Sequence, residues 1–460
     1  MDEQKQGMRY GVFEGVSASM MFAITNAYLT LFALALGATS LEIGMIVAIP
    51  AILSMLAYLP AAYIVESSSH RNRLAAATAF LSRGSWLLVA VVPLFAAGRL
   101  FWLLAFVCFL SLFDSFIGPS WASLMGDIVP EHRRGRYFGR RNTLCKIAAL
   151  ATVFIAGFVL DFFGGLTGFS IIFAAAGVFG LLTAFFFSRF PEFKYRAKER
   201  INISIDTRGA FSNRMFRRFI LMMFVWQLGV SISAPFMNVF IVKEMGAAYY
   251  WVSILILVSG IAGIAGPARL GSMADRFSHR SIMIICAFGA AFIPLLYIFS
   301  TAPEHIIPVS ILSGIAWAGF DLAAFNYLLE TTRGKKRAIY SAFYWCFLSL
   351  AAIIGPMTGG MMIEMFASGI LGLSGFGFMF LMSWIVRMLA ALLLLKFLLE
   401  LPDRRFYSTR YVTGELVVIG FSHVWGSFHL IKETGSIPVK IMERVSSFVR
   451  RSLNPFKREE

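Results

Sequence analysis

Five ionisable residues lie deep within the apolar stretches of this 460-residue chain: Glu14, Arg83, Asp114, Asp321 and Arg387. A charge at the centre of a bilayer costs about 2.5 to 3.5 kcal/mol on insertion scales, so each of them needs a partner or a purpose. Arg83 lies twelve residues beyond Arg71, and Asp114 lies thirteen before Asp127. At about 1.5 Å per helical residue, both sit roughly 18 to 20 Å from the same membrane face. Their depths pair them, either as a structural ion pair or as a proton-sensitive switch. The same reasoning pairs Arg387 with Asp321. Glu14 has no basic residue at equal depth. The plainer reading of such an unpaired carboxyl is a protonated acid hydrogen-bonded to a neighbouring helix.

The composition says what must hold these residues. The chain is 58% hydrophobic, 15% aromatic and 14% charged, with a mean hydropathy of +0.74, whereas a soluble domain is about one quarter charged. A soluble enzyme and a disordered chain are both excluded. Runs of about 20 apolar residues, enough to cross the hydrocarbon as a helix, number twelve. They fall near 10–36, 41–65, 74–97, 100–126, 144–162, 166–188, 219–242, 248–273, 281–300, 305–329, 338–363 and 369–398. They are too long and too evenly apolar for barrel strands, and a lipid-exposed backbone needs the internal hydrogen bonds of a helix. The first run is also too long for a cleaved secretory segment, so it is expected to remain as a span. Cys108, Cys145, Cys286 and Cys346 all lie inside apolar runs and read as small core residues, with no disulfide framework or metal spacing.

Charge sets the orientation. The 41 Lys+Arg exceed the 25 Asp+Glu by a net +16. The loops that follow the odd-numbered spans carry only Arg99 and Lys243, so the opposite side is strongly basic and is expected to be the cytoplasm. Both termini then lie in the cytoplasm of a multi-pass plasma (inner) membrane protein. Topology and contact with anionic lipid explain the positive excess, and nucleic acid is not needed as a partner.

The chain also repeats itself. AYIVESSSHR (62–71) follows the second span and GSMADRFSHR (271–280) the eighth, aligning Glu66 with Asp275 and Arg71 with Arg280 at a spacing of 209. Asp127 precedes PEHRRGRYFG after the fourth span and Glu330 precedes TTRGKKRAIYSA after the tenth, aligning Arg134 with Arg337 at a spacing of 203. GVSAS with Asn26 in the first span is echoed by GVSIS with Asn238 in the seventh. Six spans per copy give two like-facing halves related about the membrane normal. The expected organisation is a six-helix bundle at 1–189, a basic linker at 190–217, a second six-helix bundle at 218–400 and a tail at 401–460. In the tail, Ile437, Ile441, Val445 and Val449 among basic residues predict an amphipathic surface helix.

GSMADRFSHR resembles the cytoplasmic loop signature of the major facilitator superfamily, roughly G-x-L-A-D-R-x-G-R-R, with a degraded copy after the second span. PSWASLMGDIVPEHRRGRYFGRRN is similar to the loop between helices four and five of prokaryotic members, many of unassigned substrate. The resemblance implies an all-α membrane fold of twelve helices and alternating-access transport of a small solute. It also implies a cytoplasmic latch of helix-end charges, here Glu66, Arg71 and Asp127 in one half and Asp275, Arg280 (or Arg276) and Glu330 in the other. Solvated anchoring charges are the plainer reading of these residues. Two departures stand out. The first copy has Ala62, Glu66 and Ser67 where the signature has Gly, Asp and Arg. The proton-coupled members' arginine in helix four and the antiporters' proline-glycine signature in helix five are also absent, the latter position holding Thr152, Val153, Ala156 and Gly157. A related GPMTGG (355–360) lies in the eleventh span and predicts a bend or a close helix approach.

In this family helices one, four, seven and ten line the cavity, which makes the unpaired Glu14 the first candidate for binding a proton or a cationic solute and adds Asn26, Gln227, Asn238, Trp226, Trp317, Asn326 and Tyr327 as solute-facing candidates beside Asp114 and Asp321. A cavity sparse in charge favours a neutral or amphiphilic solute. No phosphate-binding loop, metal spacing or nucleophile triad is present, so neither ATP, a cofactor nor an enzymatic reaction is expected. The expected protein is a monomer in membrane lipid whose partners are a small solute and protons. The alternative is a transport-inactive scaffold acting through its tail.

Overall fold

The computed structural model describes residues 2–68, 70–191, 212–276, 279–331, 337–369 and 372–397. The linker interior and the tail with its expected surface helix therefore lie outside the described residues. Thirteen helices are described: α1 (Asp2–Ala35), α2 (Ser40–Ser67), α3 (Arg71–Gly84), α4 (Trp86–Ala90), α5 (Arg99–Ile128), α6 (Arg134–Phe163), α7 (Gly165–Ser188), α8 (Arg214–Lys243), α9 (Tyr249–Arg276), α10 (His279–Ile298), α11 (Ile306–Thr331), α12 (Arg337–Met365) and α13 (Gly375–Phe397). Among the described residues ten helices are long and apolar enough to cross a membrane. Tyr249–Ile264 is a shorter apolar helix. The third expected span is broken, α3 giving way at Ser85 to the single turn and a half of α4 and then to a 3-10 turn at Val92–Leu94 that contains Pro93. Proline lacks the amide hydrogen that would continue the ladder.

Local chemistry sets several ends. Thr39 and Glu42 form a reciprocal capping box at the start of α2, and the Asn213 side chain accepts from the first turn of α8. α6 starts ten residues before the apolar run that announced it, because charged turns can project beyond the hydrocarbon without ending a helix. Cys145 and Cys286 are buried as expected, Cys108 is half-buried and Cys346 is exposed, and all four are free thiols.

Packing divides the helices by contact. α1 lies against α6 and α7, α2 against α5, and α3 between α5 and α7. α8 lies against α12 and α13, α9 against α11, and α10 against α11 and α13. These two sets meet where α2 touches α12, α6 touches α9 and α1 touches α8. The hydrogen bonds and ring contacts observed between the sets lie at the end remote from the start of α1, called here the far end. Asp161 at the end of α6 accepts from the Tyr249 and Tyr250 amides at the start of α9, at 2.9 and 2.7 Å. Glu364 at the end of α12 accepts from the Leu41 amide at the start of α2, at 2.8 Å. Tyr28 of α1 and Ser253 of α9 are hydrogen-bonded to each other. The Val153 carbonyl of α6 lies 3.2 Å from the Tyr28 hydroxyl and 2.9 Å from the Ser253 hydroxyl and accepts from whichever of the two does not donate to the other. Asn238 of α8 donates to the Ala27 carbonyl of α1 at 3.1 Å.

The GPMTGG segment serves close approach. α12 runs unbroken through it, and a Cβ at Gly359 would collide with the Ile232 carbonyl of α8, one at Gly360 with the Ser40 carbonyl of α2.

Candidate functional site

A row of glycines on α1 makes room for the densest charge cluster. Gly7, Gly11 and Gly15 fall every four residues, hence on one helix face. A methyl group at Gly11 would meet the Tyr137 hydroxyl, and one at Gly15 would meet the Arg141 guanidinium, both from α6. Arg141 lies flat along this groove, its Nε donating to the Gly11 carbonyl at 2.8 Å and its Nη2 to Glu14 Oε2 at 2.9 Å. Trp121 of α5 donates through Nε1 to the same carboxylate oxygen at 3.2 Å, and the Arg141 guanidinium lies 5.0 Å from the Trp121 ring centre. Glu14 is 2% exposed.

The cluster continues through Arg83 of α3. Its Nη1 is 3.6 Å from Glu14 Oε1 and its Nε is 3.9 Å from Asp114 Oδ1 of α5. Both contacts are ion pairs without hydrogen-bond geometry, and both nitrogens are buried without a hydrogen-bond partner among the described residues. Phe22 and Phe187 flank the guanidinium at 5.5 and 5.9 Å. Ser82 donates to Asp114 at 3.4 Å, and Asp114 remains 41% exposed despite its depth along α5. Two guanidiniums and two carboxylates balance in charge, but the hydrogen bonds are unevenly shared: Glu14 takes them and Asp114 is left with weak ones.

This geometry corrects two expectations. Glu14 is not an unpaired acid, because Arg141 reaches it from a helix turn that the sequence assigned to a loop. Arg83 and Asp114 do come together, with Glu14 as a third member. Arg387 and Asp321 do not. Arg387 is 1% exposed and points from α13 between α8 and α10. There it donates to Ser233 Oγ at 2.7 Å and to the carbonyls of Ala290, Gly229 and Val230 at 3.2, 3.4 and 3.5 Å. Ser383, one turn earlier on the same face, donates to the Gly229 carbonyl at 2.7 Å. Equal depth had suggested the pair, but helix rotation decides contacts, and the face of α13 that carries Arg387 looks away from α11.

The remaining candidates disperse. Asn26 is exposed and Asn326 half-buried. Gln227 donates to Ser231 one turn along α8 at 3.3 Å, and Asn238 belongs to the far-end contacts. Trp226 is fully buried, its ring 4.7 Å from Phe320 and 6.0 Å from Trp317. Tyr327 packs its ring 5.0 Å from Phe219. Trp226 and Tyr327 thus act as core, and Trp317 is half-buried beside them. Asp321 is exposed, within electrostatic reach of Lys146 on α6. Lys146 escaped notice because it stands at the margin of an apolar run. Of the latch residues, Arg71 is 3.8 Å from Asp127, and Arg280 donates to the Leu395 carbonyl at 3.0 Å. The side chains of Glu66, Asp275, Arg276 and Glu330 lie outside what the structure describes. No group of three or more metal-ligating side chains occurs among the described residues.

Apolar helices of membrane length, packed around a deep charged cluster and joined at one end, define a multi-pass helical membrane protein. The chain belongs to the Major Facilitator Superfamily, whose family model matches residues 13–356 and 219–434, and it is a multi-pass protein of the plasma membrane. It is 24% identical over 270 residues to the multi-drug resistance efflux pump PmrA of Streptococcus pneumoniae serotype 4, a match covering 57% of this chain and 65% of the pump. It is 27% identical over 161 residues to sugar efflux transporter A of Escherichia coli strain K12, covering 34% of this chain and 40% of that protein. Both matches thus span less than two thirds of the relative's length. Its fold is shared with a D-xylose-proton symporter, at a TM-score of 0.67 and 15% identity over 88% of this chain and 99% of that one. It is shared too with the inward open conformation of the xylose transporter XylE from E. coli, at a TM-score of 0.62 and 15% identity over 87% and 97%.

Proposed function

We propose that the chain is a secondary transporter carrying a small, net-neutral or amphiphilic solute by alternating access, coupled to protons. In this reading two six-helix bundles, residues 1–189 and 218–400, rock about a midplane site, and both termini face the cytoplasm. The far-end contacts between helix sets then close the extracellular side, and the cavity opens to the cytoplasm. The observation that carries the coupling is Arg83, suspended between the well-bonded Glu14 and the weakly bonded, half-exposed Asp114. Asp114 is the exchangeable acid: when it takes a proton, Arg83 loses one counter-charge and draws toward Glu14. The latch at Arg71 and Asp127 joins α3 to the end of α5, the helix that carries Asp114.

Relatives named for drug and sugar efflux, and structural neighbours named for xylose and proton symport, support this reading of the class. The test is solute flux in proteoliposomes under an imposed pH gradient, with solutes chosen from ligands that raise thermal stability. Flux is expected to follow the gradient in the natural protein and to lose that dependence in Asp114→Asn. Gradient-driven flux that persists in Asp114→Asn contradicts the assignment of Asp114.

A further inference from the structure

One pair of charges is used by neither the buried cluster nor the far-end contacts. Lys146 lies twelve residues into α6 and Asp321 ten residues before the end of α11, roughly 18 and 15 Å from the ends of their helices that face away from the far end. They stand at nearly equal depth in different helix sets. Both side chains are exposed. The helix faces that carry them also carry contacts with α9. Lys146, Leu150, Val153 and Gly157 form one stripe of α6, in which Leu150 abuts Gly260 of α9 and Gly157 abuts Ser253 of α9. Asp321 continues the stripe of Gly314, which abuts the Ser259 carbonyl of α9, and lies one turn from Trp317. The Lys146 ammonium acts electrostatically on the Asp321 carboxylate, which also lies near the Tyr344 hydroxyl of α12. Asp321 therefore lies within electrostatic reach of the other helix set. One turn beyond Lys146, Leu150 contacts Gly260 of α9, so the two helix sets touch just past the charges on the far-end side.

Neither side chain makes a hydrogen bond or an ion pair with another described residue. They are close enough to feel one another and too far apart to satisfy one another. An intramembrane charge left in that condition is costly, and a ligand that satisfies only one of two such charges leaves the other still unmet. We propose that Lys146 and Asp321 form a dipolar subsite for a zwitterionic solute, its anionic group held by Lys146 on α6 and its cationic group by Asp321 on α11. The subsite rests on the transport reading above and names its solute class: net neutrality is that of a zwitterion. Trp317, half-buried one turn from Asp321, gives the solute's apolar body an aromatic flank. A solute that bridges the two helix sets also has a mechanical role, because it supplies the attraction that draws the open ends of the sets together around it.

Four probes on one para-substituted benzene ring isolate the charges: 4-(aminomethyl)benzoate, 4-methylbenzylamine, 4-methylbenzoate and 4-methylbenzyl alcohol. Binding is measured calorimetrically in nanodiscs, and transport by counterflow in proteoliposomes. The natural protein is expected to bind the zwitterion about tenfold more tightly than either singly charged probe, the worth of one added charge-assisted hydrogen bond. Lys146→Gln is expected to prefer the amine, and Asp321→Asn the carboxylate. Lys146→Arg and Asp321→Glu should keep the zwitterion first, which separates lost charge from lost folding. An unchanged order of preference across the natural protein and both neutralising variants overturns the dipolar subsite, as does a natural protein that binds none of the four. Counterflow without charge selection overturns the subsite and upholds transport. Charge-selective binding without counterflow upholds the subsite and overturns transport.

Discussion

Two arginines lie buried in the two sets of helices, and they are held in opposite ways. Arg83 sits between two carboxylates, but its pairings are long, at 3.6 and 3.9 Å, and its buried nitrogens there lack hydrogen bonds. Arg387 meets only the Ser233 hydroxyl and three backbone carbonyls among the described residues, and it reaches two neighbouring helices through them. Charge balance without tight bonding lets a side chain shift between partners. Bonding to fixed carbonyls without a counter-charge holds it where it is. The first set thus carries the movable charge and the second a rivet. Under the proposed mechanism, helices α3 and α5 are expected to respond to a proton and α8, α10 and α13 to move together.

The largest effect expected to sharpen this contrast is at Glu14. Glu14→Gln removes the charge that anchors Arg141 and Arg83 in a buried site, and the loss of one partner from such a group costs about 3 to 5 kcal/mol. Thermal unfolding in detergent should show a correspondingly large drop. A variant as stable as the natural protein breaks the account of the cluster. Next is Arg387→Ala, which empties a fully buried volume and is expected to cost about 3 kcal/mol. Arg387→Met, which refills it, should recover most of that stability and leave gradient-driven flux intact. Flux lost in Arg387→Met at normal stability would make the second arginine functional and erase the contrast. The smallest effects belong to the far end. Asp161→Asn and Glu364→Gln each weaken one carboxylate contact with a helix start, worth about 0.5 to 1 kcal/mol. Each should raise the reactivity of a cysteine placed at Ser40 or Tyr249 toward an extracellular thiol reagent, and unchanged labelling would show that these carboxylates do not help hold the far end shut.

The far-end carboxylates also show how the duplication reaches the structure. Asp161 and Glu364 are 203 residues apart, and the amides they accept from, Leu41 and Tyr250, are 209 apart. These are the spacings that align the basic loops at the other end. The spacing was available in the sequence, but a lone acid at a helix end reads as a solvated charge until a helix start is seen opposite it.

Other features divide along the same line. Long apolar runs announce helices because burying a backbone in lipid leaves no alternative, and among the described residues ten of the twelve runs are helices of membrane length. Depth along a helix is countable, so Arg83 and Asp114 could be matched before any coordinates. Rotation about the helix axis is not countable, so Arg387 was matched to an acid it does not touch. Arg141 lies just before the apolar run at 144–162 and Lys146 at its margin, where charge reads as loop, yet α6 begins at Arg134 and carries both inward.

If the two helix sets exchange a cavity between the two sides of the membrane, distances across their two ends must change in opposite senses. Pulsed electron resonance between spin labels tests it most directly, in a background from which Cys108, Cys145, Cys286 and Cys346 have been replaced. One pair of labels at Phe162 and Phe299 reports the far end, and another at Arg136 and Arg214 reports the opposite end. With lowered pH or a bound solute, the account predicts a second population in which the first distance lengthens while the second shortens. A single distance at each pair that holds under every pH and ligand would contradict it.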